Sequence, residues 1–338
     1  MKAMVMREIE GPDSLSYEDV PDPEPGPGET VVRLHAAALN RRDVFVTRGQ
    51  YPGAKPEALP VILGSDGSGE VVARGSSAAG PDEGTEVVIN PALYWGDDPH
   101  KPGKEYRILG LPDDGTFAQL VKVPSENVFP KPSHLSHEEA AAIPLGALTA
   151  YRAVVTRGGL QAGETVVVPG IGSGVATFVV QIASALGGRV FVTSGSNAKI
   201  EKAKELGAEG GVNYDSEDWS RELKGMVGGV DLSVDHVGGE AFDAMVSLAK
   251  PGSRIVTFGA TAGPKVSVVM PRIFLKHLTV LGTAMGTNEE FGAMLDLWAE
   301  HGLRPIINET FSLQDTAAAM KHMEEGSGIG KIVLDVPA

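Results

Sequence analysis

Val166-Val167-Val168-Pro169-Gly170-Ile171-Gly172-Ser173-Gly174-Val175-Ala176 sets a cluster of glycines between a run of valines and an apolar segment that continues to about Leu186. A short unbroken β-branched run reads as a strand buried on both faces, and the segment after the turn has the length of a helix. Glycines let the backbone approach a ligand closely, while the helix start offers free N–H groups and positive partial charge. The stretch is a candidate seat for a pyrophosphate. Its spacing departs from strict G-x-G-x-x-G, so taken alone it is also compatible with a plain tight turn. The surroundings decide between the two.

Downstream, Arg189 to Thr193 reads as a strand, Lys199 to Leu206 as a charged helix, and Val212 to Tyr214 and Leu232 to Asp235 as strands. A helix near Ala241 to Leu248 and strands at Arg254 to Phe258 and Thr279 to Gly282 follow. Strands alternating with helices imply a doubly wound parallel sheet covered on both faces. Upstream, Ser136-His137-Glu138-Glu139 is a capping box that should start one helix running to about Tyr151. Earlier still, Thr30 to Leu34, Val61 to Leu63, Glu70 to Ala73, Glu86 to Asn90 and Phe117 to Val123 are short β-branched runs between Gly and Pro, an irregular and mostly β domain. Glu289 to His301 and Leu313 to Glu325 read as amphipathic helices, and Lys331 to Val336 as a final strand. The division expected is a β domain over 1–126, a nucleotide-binding domain over 127–289 and a return to the first domain over 290–338.

Composition narrows the chemistry. The 338 residues are 42% hydrophobic and 22% charged, enough for a large core, and the net charge of -15 repels nucleic acid and anionic lipid. With no cysteine, disulfides, thiol nucleophiles and thiolate metal sites are excluded. No signal-like or membrane-length apolar run is present, so a cytoplasmic location is expected. There is no G-x-S-x-G or H-E-x-x-H, and Gly330-Lys331 lacks the rest of a phosphate loop.

The strand after the glycine turn ends Phe191-Val192-Thr193-Ser194-Gly195-Ser196, without the Asp or Glu that would hold the ribose diol of NAD. Lys199, the hydroxyls of Ser194 and Ser196, and Tyr214 favour the additional phosphate of NADP(H). The alternative is that Lys199 is a solvated helix charge and Tyr214 a half-buried anchor.

Several motifs in order, nearly end to end, resemble the medium-chain dehydrogenase/reductases, specifically their zinc-independent quinone oxidoreductase branch. Asn40-Arg41-Arg42-Asp43 with Arg48-Gly49-Gln50-Tyr51-Pro52 is similar to that branch's N-x-x-D…R-x-G-x-Y-P signature. Gly64-Ser65-Asp66-Gly67-Ser68-Gly69 is similar to the family's G-H-E-x-x-G element, Pro144 to Tyr151 to its P-L-x-x-L-T-A-Y helix, and Lys250-Pro251-Gly252 before Ile255 to Gly259 to its late strand. The resemblance implies an α/β protein made of a GroES-like catalytic domain and a Rossmann domain. Relatives with catalytic zinc carry Cys, His and usually Cys where this chain has Asn40, Ser65 and Leu145, and those with structural zinc use four thiolates; neither metal is expected here. The segment Asn90 to Gly115 replaces the metal-binding lobe and is expected to be held by packing, its aromatics anchoring the loop or capping the substrate cleft.

The resemblance also supplies roles. Asn40 is expected to donate its amide to a developing oxyanion and Tyr51 to donate a hydrogen bond or proton, since phenols stay protonated at neutral pH. The alternative for Tyr51 is packing under its loop. Asp43 is expected to orient the loop, paired with Arg48, and Asp66 to be a buried orienter. The cofactor-binding set comprises Thr149, Gly170, Gly172, Ser173, Gly174, Val175, Ser194, Ser196, Lys199, Tyr214, Gly259, Ala260, Met285, Gly286 and Lys331. Without a Lewis acid, the acceptor must itself delocalise charge, so an NADPH-dependent reductase of quinones or α,β-unsaturated carbonyls is expected. A carrier-bound enoyl reductase, a non-redox cyclase and a nucleotide-binding protein without turnover remain as alternatives. The resemblance further suggests a homodimer extended through the strand at Thr279 to Gly282.

Overall fold

The valine run pairs on both sides. In the computed structural model, which describes residues 1–326 and 328–337, Thr165–Val168 (β1) is fully buried and precedes the helix Gly174–Ala185 (α1). The chain continues through Arg189–Ser194 (β2), Asn197–Glu205 (α2), Gly210–Asn213 (β3), Trp219–Val227 (α3), Val230–Asp235 (β4), Gly239–Leu248 (α4), Ala249–Thr257 (β5), Met270–Leu275 (α5) and Thr279–Gly282 (β6). All neighbours are parallel, in the order β3-β2-β1-β4-β5-β6. The order reverses between β1 and β4, and in such sheets ligands bind beyond the carboxyl ends of the strands at that switch. The glycine turn lies there.

Two helices of this sheet escaped the sequence reading. In α3, Leu223 and Val227 are buried one turn apart, but only Trp219, Leu223 and Val227 carry the period, among charges and a glycine. α5 is one and a half turns long, and its Met270, Phe274 and Leu275 are exposed rather than buried, so no amphipathic pattern marks it.

Thr149–Met285 forms this second unit, and Met1–Leu148 with the chain from Gly286 onward forms the first. The first unit therefore extends past the expected boundary at 126. Ala141 and Ala142 explain why: the helix His137–Ala142 packs them on Ala36, Ala38 and Val333 of the β domain. Its start is the capping box, with Ser136 Oγ accepting from the Glu139 N–H at 3.2 Å and the Ser136 N–H donating to Glu139 Oε2 at 2.9 Å. The expected single helix is two, because Pro144 lacks an N–H and begins a second, Pro144–Tyr151.

At the centre of the first unit, the strand Glu29–Ala38 pairs antiparallel with Asp66–Arg74 on one side. On the other it pairs with Leu120–Pro124 near its start and with the final strand Lys331–Asp335 near its end. The sequence reading ended the first of these at Leu34; Ala36, Ala37 and Ala38 look helical by propensity but are buried and pair in the sheet. A strand at Ile307–Ser312, also missed, lies parallel to the final strand. This arrangement brings the residues following Ala38, the start of Asp66–Arg74 and Lys331 together. No helix among the described residues is long and apolar enough to cross a membrane.

Candidate active site

In the second unit, Gly170 has φ +67°, and an added Cβ would lie 2.8 Å from Val237 Cγ2, so only glycine fits there. The turn is fixed by the Gly170 N–H donating to Thr193 Oγ1 (3.1 Å) and the Ile171 N–H to Thr193 O (2.8 Å). Ser173 caps α1, its Oγ accepting from the Ala176 N–H at 3.2 Å, so Gly174 and Val175 form the first helical turn with their N–H groups at the carboxyl end of β1. A Cβ added to Gly172 would sit 3.3 Å from Lys199 Nζ, which puts the ammonium over the turn. Free helical N–H groups and a cation together suit a nucleotide phosphate.

Ser194 is buried, and its Oγ accepts the Ser196 N–H (3.1 Å); Ser196 caps α2 by accepting from the Lys199 N–H (3.5 Å). Tyr214 is 48% exposed, and its hydroxyl lies 3.0 Å from the point a Gly195 Cβ would occupy. A carboxylate oxygen of Asp215 lies 3.2 Å from the same point. Asp215 is not visible as a site residue in the sequence because an acid at the ribose is expected at the end of β2, whereas this one arrives from the end of β3.

Across the switch, Gly259 is pressed against the residue that follows β4, since an added Cβ would meet His236 O at 2.6 Å, and Ala260 beside it is exposed. His236 is buried with its Nε2 3.5 Å from Ser173 Oγ, and burial pushes its pKa below the usual histidine range. It is a neutral group at the glycine turn that sequence reasoning did not single out. Thr149 and Met285 meet within this unit, Oγ1 to Sδ at 3.9 Å. Gly286 belongs to the first unit, where a Cβ would lie 2.7 Å from Leu148 Cδ1.

The first unit holds the other cluster. Asn40 stands before the helix Arg41–Thr47, and its N–H donates to Asp43 Oδ2 at 2.7 Å. Its Nδ2 donates to Asp66 Oδ2 (2.9 Å), and the Leu145 N–H donates to Asp66 Oδ1 (2.8 Å). Lys331, expected at the cofactor, is instead buried here: its Nζ donates to Leu39 O (2.7 Å), Asn40 Oδ1 (2.8 Å) and Asp66 Oδ2 (2.9 Å). Those three bonds use all its hydrogens.

Arg42 is buried as well. It donates to Ser65 Oγ (3.1 Å) and to the carbonyls of Ile108 (3.2 Å), Leu109 (3.3 Å) and Leu111 (3.5 Å), and its guanidinium lies 4.8 Å from the centre of the Tyr51 ring. The Asn90 to Gly115 segment is thus tied by a buried cation, beyond the packing expected for it. The expected partner of Asp43 also differs: Arg48 pairs with Glu324 at 2.9 Å, and Arg42 is the cation beside Asp43, at 3.9 Å. Tyr51 is half-buried against the first unit's core.

Asn40, Ser65 and Leu145 therefore surround Asp66, but they offer an amide, a hydroxyl already bonded to Leu109 O (2.8 Å) and an aliphatic chain, with an ammonium among them. Zinc needs about three nitrogen, sulfur or carboxylate ligands, and this donor set does not fit it. Among the described residues no group of three His, Cys, Asp or Glu could hold a metal.

Residues 26–133 match the model of the alcohol dehydrogenase GroES-like domain, and residues 174–300 that of the zinc-binding dehydrogenases. A zinc-type alcohol dehydrogenase-like protein YogA of Leptosphaeria maculans is 35% identical over 343 residues, covering 95% of this chain and 94% of that protein. An acryloyl-coenzyme A reductase of Sulfurisphaera tokodaii is 31% identical over 344 residues, 99% of each. The crystal structure of an NAD-dependent alcohol dehydrogenase matches at a TM-score of 0.94 and 40% identity over the whole of both chains. With its GroES-like first unit and Rossmann second unit, the chain belongs to the medium-chain dehydrogenase/reductase family, oxidoreductases that use nicotinamide cofactors.

Proposed function

We propose that the protein is a zinc-independent, NADPH-dependent reductase of the quinone oxidoreductase branch, acting on quinones or α,β-unsaturated carbonyls. The observation that carries this reading is the cluster around Asp66, where amide, hydroxyl and ammonium replace any usable metal ligand set. The reduced nicotinamide, when bound, supplies hydride. A conjugated acceptor spreads the resulting negative charge over an enolate or phenolate oxygen, so neutral hydrogen-bond donors suffice. Asn40 Nδ2 is the donor to that oxygen, and the Tyr51 hydroxyl supplies the proton, its ring oriented by the Arg42 guanidinium. Enoyl thioesters belong to the same chemical class, and the acryloyl-coenzyme A reductases among the relatives favour them.

The glycine turn, Ser173, Gly174 and Val175 hold the pyrophosphate; Lys199, Ser194, Ser196 and Tyr214 hold the adenosine ribose phosphate; Thr149, Gly259, Ala260, Met285 and Gly286 flank the nicotinamide. A screen of NADPH oxidation over quinones, short enones and enoyl thioesters tests the reading, and absence of turnover with all three classes contradicts it.

The partner we propose is a second copy of the chain. β6 ends its sheet, and Val280 on it, with Val269, Met270, Phe274 and Leu275 nearby in sequence, is exposed and apolar. A sedimentation-equilibrium mass of one chain contradicts this. The charge of -15 argues against nucleic-acid partners.

A further inference from the structure

We propose that Lys331 is the positioning residue for the Asn40 carboxamide, an inference that rests on the reading above in which Asn40 is the oxyanion donor. Asn40 is held at three atoms. Its N–H donates to Asp43 Oδ2 (2.7 Å), its Oδ1 accepts from Lys331 Nζ (2.8 Å), and its Nδ2 donates to Asp66 Oδ2 (2.9 Å). Reversing the amide would set its NH2 group against an ammonium and its oxygen against a carboxylate. Two charge-assisted bonds would become two repulsive contacts in a buried place.

The ion pair thus decides which end of the amide is the donor. One Nδ2 hydrogen is committed to Asp66, and the second is the one an oxyanion takes. Lys331 cannot fill that role itself, because its three N–H bonds go to Leu39 O, Asn40 Oδ1 and Asp66 Oδ2. Asp66 is fully buried and holds the Leu145 N–H with its other oxygen. Both act through Asn40.

The test compares wild type with Lys331→Met and with the neutral pair Lys331→Met/Asp66→Asn, which avoids leaving a buried carboxylate alone if the single variant fails to fold. Two readouts are taken: solvent exchange of the Asn40 side-chain amide by 15N NMR without cofactor, assigned by its loss in Asn40→Asp, and steady-state kinetics with NADPH and an enone. Because Asp66 itself accepts an Asn40 Nδ2 hydrogen, Asp66→Asn is the reference for the double variant; relative to it amide exchange is expected to rise at least about tenfold and kcat to fall about tenfold, as in Lys331→Met relative to wild type, with KM for NADPH changed by no more than about twofold. Exchange and kcat in the double variant equal to those of Asp66→Asn overturn the proposal, and so does an intact kcat with a raised KM for NADPH, which would make Lys331 a cofactor ligand. If wild-type protein reduces no acceptor, the functional reading falls, and the exchange measurement alone decides whether Lys331 positions Asn40.

Discussion

Lys331 Nζ lies 2.9 Å from Asp66 Oδ2, with the lysine side chain 5% exposed and the aspartate fully buried. One residue comes from the last strand and the other from the start of the strand at Asp66–Arg74, 265 positions apart in sequence. The bond therefore closes the first unit as well as orienting Asn40. Removing one partner of such a pair strands a buried charge, at a cost of about 3–5 kcal/mol, while removing both costs far less. In a urea-unfolding double-mutant cycle, Lys331→Met and Asp66→Asn should each destabilise strongly and their combination should recover much of the loss. Additive losses would contradict the pairing.

Arg42 gives a second stability prediction. Its four donated bonds join the helix after Asn40 to Ser65 and to the carbonyls of residues 108, 109 and 111. Arg42→Met removes all four bonds, leaving Leu109 O to the Ser65 hydroxyl (2.8 Å) and Ile108 O to the Leu111 N–H (3.3 Å), and should lower stability by about 3 kcal/mol. Amide hydrogen exchange over residues 106–113 should accelerate more than exchange in the second unit. Uniform acceleration would place the role of Arg42 elsewhere.

Asp43 makes the fold sensitive to pH. Burial raises its pKa from the ordinary 3.8 to about 6, against the opposing effect of Arg42 beside it. Between those values the unfolded chain has released a proton that the folded chain still holds, so this group's contribution to stability falls as pH rises from about 4 to about 6 and is level above that. Asp43→Asn lacks the loss. Its stability relative to wild type should improve by about 2 kcal/mol between pH 4 and pH 7, measured by urea unfolding at both. A difference that does not vary with pH would contradict the assignment.

What the sequence made legible follows from where the information is local. The valine run, the glycine turn and the capping box at Ser136 are each written in a few adjacent residues, and each element stands in the structure at or near its expected place. Lys331 and Arg42 could not be read in the same way. A lysine at the start of a strand looks exposed until Leu39, Asn40 and Asp66 are folded around it, and the carbonyls that hold Arg42 carry no side-chain signature at all. Asp215 was hidden for a related reason, since parallel pairing of β2 with β3 is what brings it beside Gly195. One usable signal was present: a lysine followed directly by Ile332, Val333 and Leu334 needs a buried acceptor, and Asp66 among small residues is an available one.

The proposed preference for NADPH rests on two side chains of opposite sign. Lys199 lies over Gly172, and Asp215 lies beside Gly195. If Lys199 meets the ribose phosphate, Lys199→Ala should raise KM for NADPH about tenfold with little change for NADH. Asp215→Asn should move the preference the other way by a few-fold, the smaller effect of an exposed charge. An unchanged NADPH to NADH ratio in Lys199→Ala would contradict the NADPH assignment.

The most direct measurement compares two substrates on protein freed of metal by chelation, with the metal content verified: NADPH oxidation with a short enone, and cofactor reduction with a simple aliphatic alcohol. Undiminished enone reduction and no alcohol oxidation are expected before and after chelation. Enone turnover lost on chelation and restored by zinc, or robust alcohol oxidation by the zinc-loaded protein, would contradict the zinc-independent reading.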